Sequence, residues 1–159
     1  MSVEIDRIMQ NAVAAAGVFS QYSQERVDRI VRAVCKAAFA RRVALAKMAA
    51  EETGIGRWQD KVLKNVVATQ LVYNDIKSVK TVGIIREDPQ RGIVEIAQPM
   101  GPILAIIPVT NPTSTVFFKV LIALKTRNPL VISPSGKARK CCAEAARVRC
   151  LSMKSIRSS

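Results

Sequence analysis

The 159-residue sequence has no histidine, 4% aromatic residues, only four cysteines, and 12 acidic residues against 25 basic ones. The cysteines (Cys35, Cys141, Cys142 and Cys150) fall in no zinc-ligand spacing. With histidine absent as well, no metal site is expected. Adjacent Cys141 and Cys142 are too close for an easy mutual disulfide, which suits a reduced chain in the cytoplasm. Scarce aromatics leave little to stack on bases. No apolar run approaches the ~20 residues of a membrane span. The opening MSVEIDRIMQ carries early acids and no apolar core of a secretory signal.

What is abundant is positive charge. A formal balance of +13 raises nucleic acid and anionic membranes as partners. Its distribution argues against both. From residue 136 onward the chain carries Lys137, Arg139, Lys140, Arg147, Arg149, Lys154 and Arg157 against Glu144 alone, a balance of +6. Elsewhere bases are interspersed with acids, as on a solvated surface. Neither a nucleic acid nor a membrane is expected as a partner. A hydrophobic fraction of 49% excludes a disordered chain, and the length suits about one domain.

Apolar residues at helical spacing predict helices over 3–20, 23–39, 41–53 and 60–77. Ser23 is placed to cap the second, and Gly54 stands just past the third. The pattern then shortens. TVGIIRED and GIVEIAQP, around Pro89-Gln90-Arg91, read as a β-hairpin over 81–98, with alternation that suits one wet face. After the turn Pro99-Met100-Gly101-Pro102 come an apolar run PILAII, a polar turn IPVTNPTST, a helix over 115–126, a second apolar run PLVIS, and a helix over 137–148. Two apolar strands joined by a helix make a βαβ unit of a parallel sheet covered on both faces. Residues 149–159, rich in bases and serine, break the pattern of the helix before them.

The polar turn lies where parallel sheets bind ligands, outside the carboxyl end of a strand and before a helix N-terminus. Thr113, Ser114 and Thr115 can cap that helix, and Asn111 offers a side-chain amide donor suited to an oxyanion. On residue chemistry alone, an ordinary turn and an ordinary cap account for the same residues.

The run PILAIIPVTNPTSTVFFKVLIALKTRNPLVISPS resembles the N-terminal half of the cofactor domain in the aldehyde dehydrogenase superfamily. Within it, Thr110 to Ser114 is similar to the Thr-Asn-Pro-Thr-Ser segment of the acylating, coenzyme A-dependent branch. That branch includes the aldehyde dehydrogenase half of bifunctional aldehyde-alcohol dehydrogenases. The segments EIAQPMGPI and LAKMAAEETGIGRWQDKVLKN resemble the same family. The implied fold is α/β: N-terminal helices over 1–80, an oligomerisation hairpin over 81–98, and a partial Rossmann-like dinucleotide-binding βαβ unit over 99–148. Residues 149–159 then form an aberrant basic tail.

The resemblance implies an oxidoreductase that converts an aldehyde, coenzyme A and NAD to acyl-CoA and NADH. Asn111 would be the oxyanion donor. Pro108, Val109 and Thr110 would line the nicotinamide side of the cofactor, and Ser133, Pro134 and Ser135 its adenosine ribose. The hydrolytic branch generally has lysine where this chain has Ser133, which leaves NAD against NADP open. The hairpin implies a homo-oligomer. The family's nucleophilic cysteine lies beyond this chain, and none of the four cysteines matches it. The expectation is an inactive fragment, shifted or truncated near Val148. The rival is a non-catalytic interaction piece that pairs with full-length subunits.

The other conspicuous residues get plain readings. Cys35, Cys141 and Cys142 are expected as small buried residues, and Cys150 as without a role. Lys119 and Lys125 are assigned to a solvated face, Trp58 to packing in a loop, and Asp60, Lys61 and Lys64 to exposed ion pairs along one helix.

Overall fold

The computed structural model describes residues 3–157, with side chains through Val148. Four N-terminal helical stretches lead the chain: α1 (Val3–Ser20), α2 (Gln24–Ala40), α3 (Arg42–Thr53) and α4 (Trp58–Val66). The expected caps form. Ser23 Oγ accepts a bond from the Arg26 amide, and Gly54 ends α3 in the left-handed region at φ 66°. The long helix expected over 60–77 continues from α4 through a π-helical turn, Val67–Leu71, into α5 (Val72–Ile76). There the Thr69 hydroxyl donates to the carbonyls of Asn65 (2.7 Å) and Val66 (3.3 Å), a bond to the preceding turn of the kind that perturbs the helical ladder.

The hairpin β1 (Gly83–Asp88) and β2 (Ile93–Ala97) is antiparallel, with an irregularity between Ile84 and Arg86. Both of its faces are wet rather than one. Ile84, Ile85, Ile93, Val94 and Ile96 are all exposed. Alternation says which residues share a face; it does not supply an element to cover it.

Then follow β3 (Ile103–Ile107), α6 (Pro112–Lys125), β4 (Leu130–Pro134), a 3₁₀ turn Gly136–Ala138, and α7 (Arg139–Arg157). β3 and β4 pair in parallel, Ile103 opposite Leu130 and Ile107 opposite Pro134. The expected βαβ unit is present. Its sheet is covered on one face only: Ala105 and Ile107 are buried, while Leu104 and Ile106 are 64% and 69% exposed. The core lies where α2, α6 and α7 meet, around Val27, Val31, Val34, Val116, Leu121 and Val148. Full burial of a side chain such as Leu121 contributes about 1.5–3 kcal/mol.

Two helix boundaries depart from expectation. α6 begins at Pro112, where the fixed φ of proline and its missing N–H suit the first helical position. Asn111 is therefore its N-cap, and the hydroxyls of Thr113, Ser114 and Thr115 lie inside the first turn. α7 runs past Val148 to Arg157, because residues 149–157 hold neither glycine nor proline to stop it. The Cys150 side chain, and the role expected of it, lie outside the described residues.

Candidate functional site

The parallel register sets the carboxyl ends of β3 and β4 side by side. The Ser135 amide donates to the Ile107 carbonyl at 3.1 Å, so the two strand ends are tied together. Pro108, Val109 and Thr110 follow one end, and Ser133, Pro134 and Ser135 form the other. All six are exposed or half-buried. The fold thus brings the two sequence-predicted cofactor segments together. Asn111 stands beside them, half-buried, at φ −134°, with the first α6 hydrogen bond running from the Thr115 amide to its carbonyl.

One face of α4 holds this turn, a relationship absent from the sequence expectations. The Lys61 ammonium donates to the Thr110 carbonyl at 3.0 Å, and the Lys64 ammonium to Asn111 Oδ1 at 2.7 Å. Asn65 Oδ1 accepts from the Thr113 hydroxyl at 2.9 Å, while Asn65 Nδ2 donates to the Arg42 carbonyl at 2.9 Å. Positions 61, 64 and 65 share a helix face by their spacing. The expected exposed pairing of Asp60, Lys61 and Lys64 is therefore corrected. Asp60 pairs with Arg57, both lysines turn to the β3–α6 turn, and Lys61 is buried. Burial, and then the nearby charge of Lys64, pull the Lys61 ammonium below the ordinary lysine range. The spacing was available in the sequence as KVLKN, but nothing in it says what that face touches.

Lys119 and Lys125 also depart from a solvated role. Lys119 donates to the Ile106 carbonyl at 2.8 Å, tying α6 to β3, and Lys125 is buried. Trp58 opens α4 rather than a loop, with the Lys47 ammonium 4.8 Å from its ring centre.

A groove of about 530 Å³ runs between the α4–α5 stretch and α6. Leu63, Val67, Val72 and Phe118 give it apolar walls, and Lys64 and Asn111 stand at it together. A second cavity of about 460 Å³ lies by the C-terminal half of α6 and the start of β4. That is the amino end of the strands, away from the turn. Among the described residues no group of three or more His, Cys, Asp or Glu could hold a metal ion.

No cysteine lines the groove. Cys141 and Cys142 are fully buried on α7, as expected. The thiol of Cys142, burial and the Glu52 carboxylate hold the Cys141 thiol above its ordinary range. Cys35 is buried, its thiol donating to the Thr69 carbonyl, and burial pushes it up too. The bond with Cys141 pulls the Cys142 thiol the other way, below its ordinary range, but Cys142 is fully buried and away from the groove. Buried thiols are inert as nucleophiles.

The site is thus a βαβ unit covered on one face, with an asparagine at its strand-to-helix turn and a groove beside it. The chain belongs to the aldehyde dehydrogenase family, whose model matches residues 1–149. It is 50% identical over 137 residues to an aldehyde-alcohol dehydrogenase of Clostridium acetobutylicum, covering 86% of this chain and 16% of that one. The bifunctional aldehyde-alcohol dehydrogenase of Escherichia coli is 43% identical over 143 residues, covering 90% and 16%. The crystal structure of an acetylating aldehyde dehydrogenase from Geobacillus thermoglucosidasius superposes with a TM-score of 0.92 at 49% identity, covering 95% of this chain and 33% of that one. The similarity therefore lies with the acylating branch of the family. The chain spans about a sixth of the length of these curated relatives, and among its described residues no helix is long and apolar enough to cross a membrane.

Proposed function

We propose that residues 1–148 are the N-terminal portion of an acylating aldehyde dehydrogenase, with Asn111 as its oxyanion donor. The observation that carries this reading is the place of Asn111: the end of a parallel strand, the N-cap of α6, and the side of an apolar groove. An aldehyde whose chain lies along Leu63, Val67 and Phe118 would bring its carbonyl oxygen to the Asn111 amide. As a nucleophile adds, the oxygen gains charge, and a donor already in place stabilises it without reorganisation. The positive end of the α6 dipole favours the same charge.

The adjacent ends of β3 and β4 fit a dinucleotide. Pro108 to Thr110 would hold its nicotinamide side and Ser133 to Ser135 its adenosine side. NAD, when bound, would accept the hydride, and coenzyme A would be the acyl acceptor. Ser133 stands where the hydrolytic branch generally has a lysine that contacts the ribose, so the choice between NAD and NADP stays open. The described cysteines do not open on the groove, so this chain by itself is proposed to be inactive. An assay of aldehyde-dependent NADH formation with coenzyme A should show no rate above background. Turnover by the purified chain would mean that the nucleophile has been misplaced.

A second reading has its own observation. The hairpin exposes apolar residues on both faces, as an element that pairs with another subunit would. In that reading the chain is a non-catalytic piece that associates with itself or with full-length subunits. Replacing Ile93 and Ile96 with lysine should then lower the mass measured by light scattering.

A further inference from the structure

Asn111 can serve as a donor only if its NH2 group, and not its oxygen, faces the substrate. An amide is nearly symmetric in shape, so packing alone does not select one orientation. A lysine ammonium does, because it carries donors and no acceptor. The atom 2.7 Å from Lys64 Nζ is therefore the amide oxygen. The amide nitrogen is left with one weak acceptor, the Thr110 hydroxyl at 3.4 Å. Its hydrogens are available.

The arrangement has two buried neighbours on the same helix face. Lys64 shares its helix face with Lys61, buried and bonded to the Thr110 carbonyl, and with Asn65, buried and bonded to Thr113. The three α4 residues thus grip the residue before Asn111, Asn111 itself and the second residue of α6. The π-helical turn begins two residues after Asn65, so the regular part of α4 is the part that grips.

We propose that Lys64 is the positioning residue of the active site: by holding the Asn111 amide oxygen it leaves the NH2 group free to donate to a substrate oxygen, and it polarises the amide. A cation on the carbonyl side draws electron density from the amide and makes its N–H groups stronger donors. Lys64 acts through Asn111, and the proposal rests on the reading of Asn111 as oxyanion donor.

Two measurements test it. In the 159-residue chain, the Asn111 side-chain NH2 signals, identified by their loss in N111A, should move in a ¹⁵N-resolved NMR spectrum of K64M and return toward their original position in K64R. Signals unmoved by K64M overturn the proposal. For turnover, residues 3–148 can replace the matching segment of an acetylating aldehyde dehydrogenase such as that of Geobacillus thermoglucosidasius. N111A in this chimera should lower kcat by about 10²–10³-fold, and K64M by about tenfold with KM within about twofold. K64R should recover most of the loss. The K64M/N111A double variant should be no slower than N111A, because a residue that acts only through Asn111 has nothing further to lose. Full activity of N111A would remove the oxyanion reading itself. Loss in N111A with full activity in K64M, or additive losses in the double variant, would remove only the role of Lys64.

Discussion

The Lys125 ammonium lies 2.6 Å from the Asp28 carboxylate, joining the last turn of α6 to α2 through a lysine side chain that is 3% exposed. Lys125 also donates to the Lys77 carbonyl at 3.3 Å, and its own carbonyl accepts the Thr81 hydroxyl at 2.6 Å. One residue therefore holds α2, α6 and the segment after α5. Removing only the anion leaves a buried cation without its partner. D28N should cost about 3 kcal/mol, the low end for a broken buried pair because Asp28 is itself partly exposed. K125M, which removes the charge along with its need for a partner, should cost less, about 1 kcal/mol. Urea midpoints at unchanged slope give the order, and a K125M midpoint below that of D28N contradicts it.

Glu52 on α3 caps α7 from outside. Its two carboxylate oxygens accept the Lys140 and Cys141 amides, each at 2.7 Å. Burial works against its charge, but these amide bonds outweigh it and hold the Glu52 carboxyl below the usual carboxylate range. A lowered folded pKa contributes stability above the unfolded value of about 4.3, and that stability is lost as pH falls through the folded value. E52Q should cost about 1 kcal/mol at pH 7, the scale of a lost cap. The gap between wild type and E52Q should close as acid is added below about pH 4. A gap constant from pH 7 to 3 would show that the charge is not the source.

Glycine plays opposite parts at two helix positions. Gly54 takes φ 66° at the end of α3, a region that costs an L-residue about 1 kcal/mol or more. Gly17 lies within α1, with nothing within 4 Å of the place where a Cβ would stand. G54A should lower the thermal midpoint. G17A should raise it, by restricting the unfolded chain and favouring the helix by about 0.5–1 kcal/mol. The two shifts should have opposite signs in one calorimetric series.

Cys35, Cys141 and Cys142 are all buried free thiols. In a C150S background, a thiol reagent should leave the native chain unlabelled. Labelling should then rise with the same denaturant midpoint as the loss of helical ellipticity. A fast-reacting thiol in native buffer would place a cysteine at the surface and reopen the search for a nucleophile within this segment.

Local signals carried far along the chain. The extent of α1, the Ser23 cap, the Gly54 terminus, the hairpin and the parallel βαβ unit were legible because each depends on neighbours within a few residues: a helical period, a cap, a turn. The place of Asn111, between β3 and α6, was legible for a related reason, since a polar turn after an apolar strand run marks the end of that strand. The proline that opens α6 was in view as well, but the three hydroxyls after it offered a competing start. The exposed hairpin and the half-covered sheet were not legible, because apolar alternation and apolar runs describe faces and not their covers.

The lysines show the boundary most clearly. In the sequence, Lys61, Lys64, Lys119 and Lys125 are indistinguishable from solvated charges, because a long cationic side chain is usually found in water. Their acceptors lie far away along the chain for three of them: Thr110 and Asn111 for the two on α4, and Asp28 for Lys125. The sequence alone determined the elements, the family and the turn that bears Asn111. The tertiary structure decided which side chain holds that amide's oxygen and which charges leave solvent. Those outcomes depend on packing between segments distant in sequence, and no local pattern encodes the partner a side chain will meet.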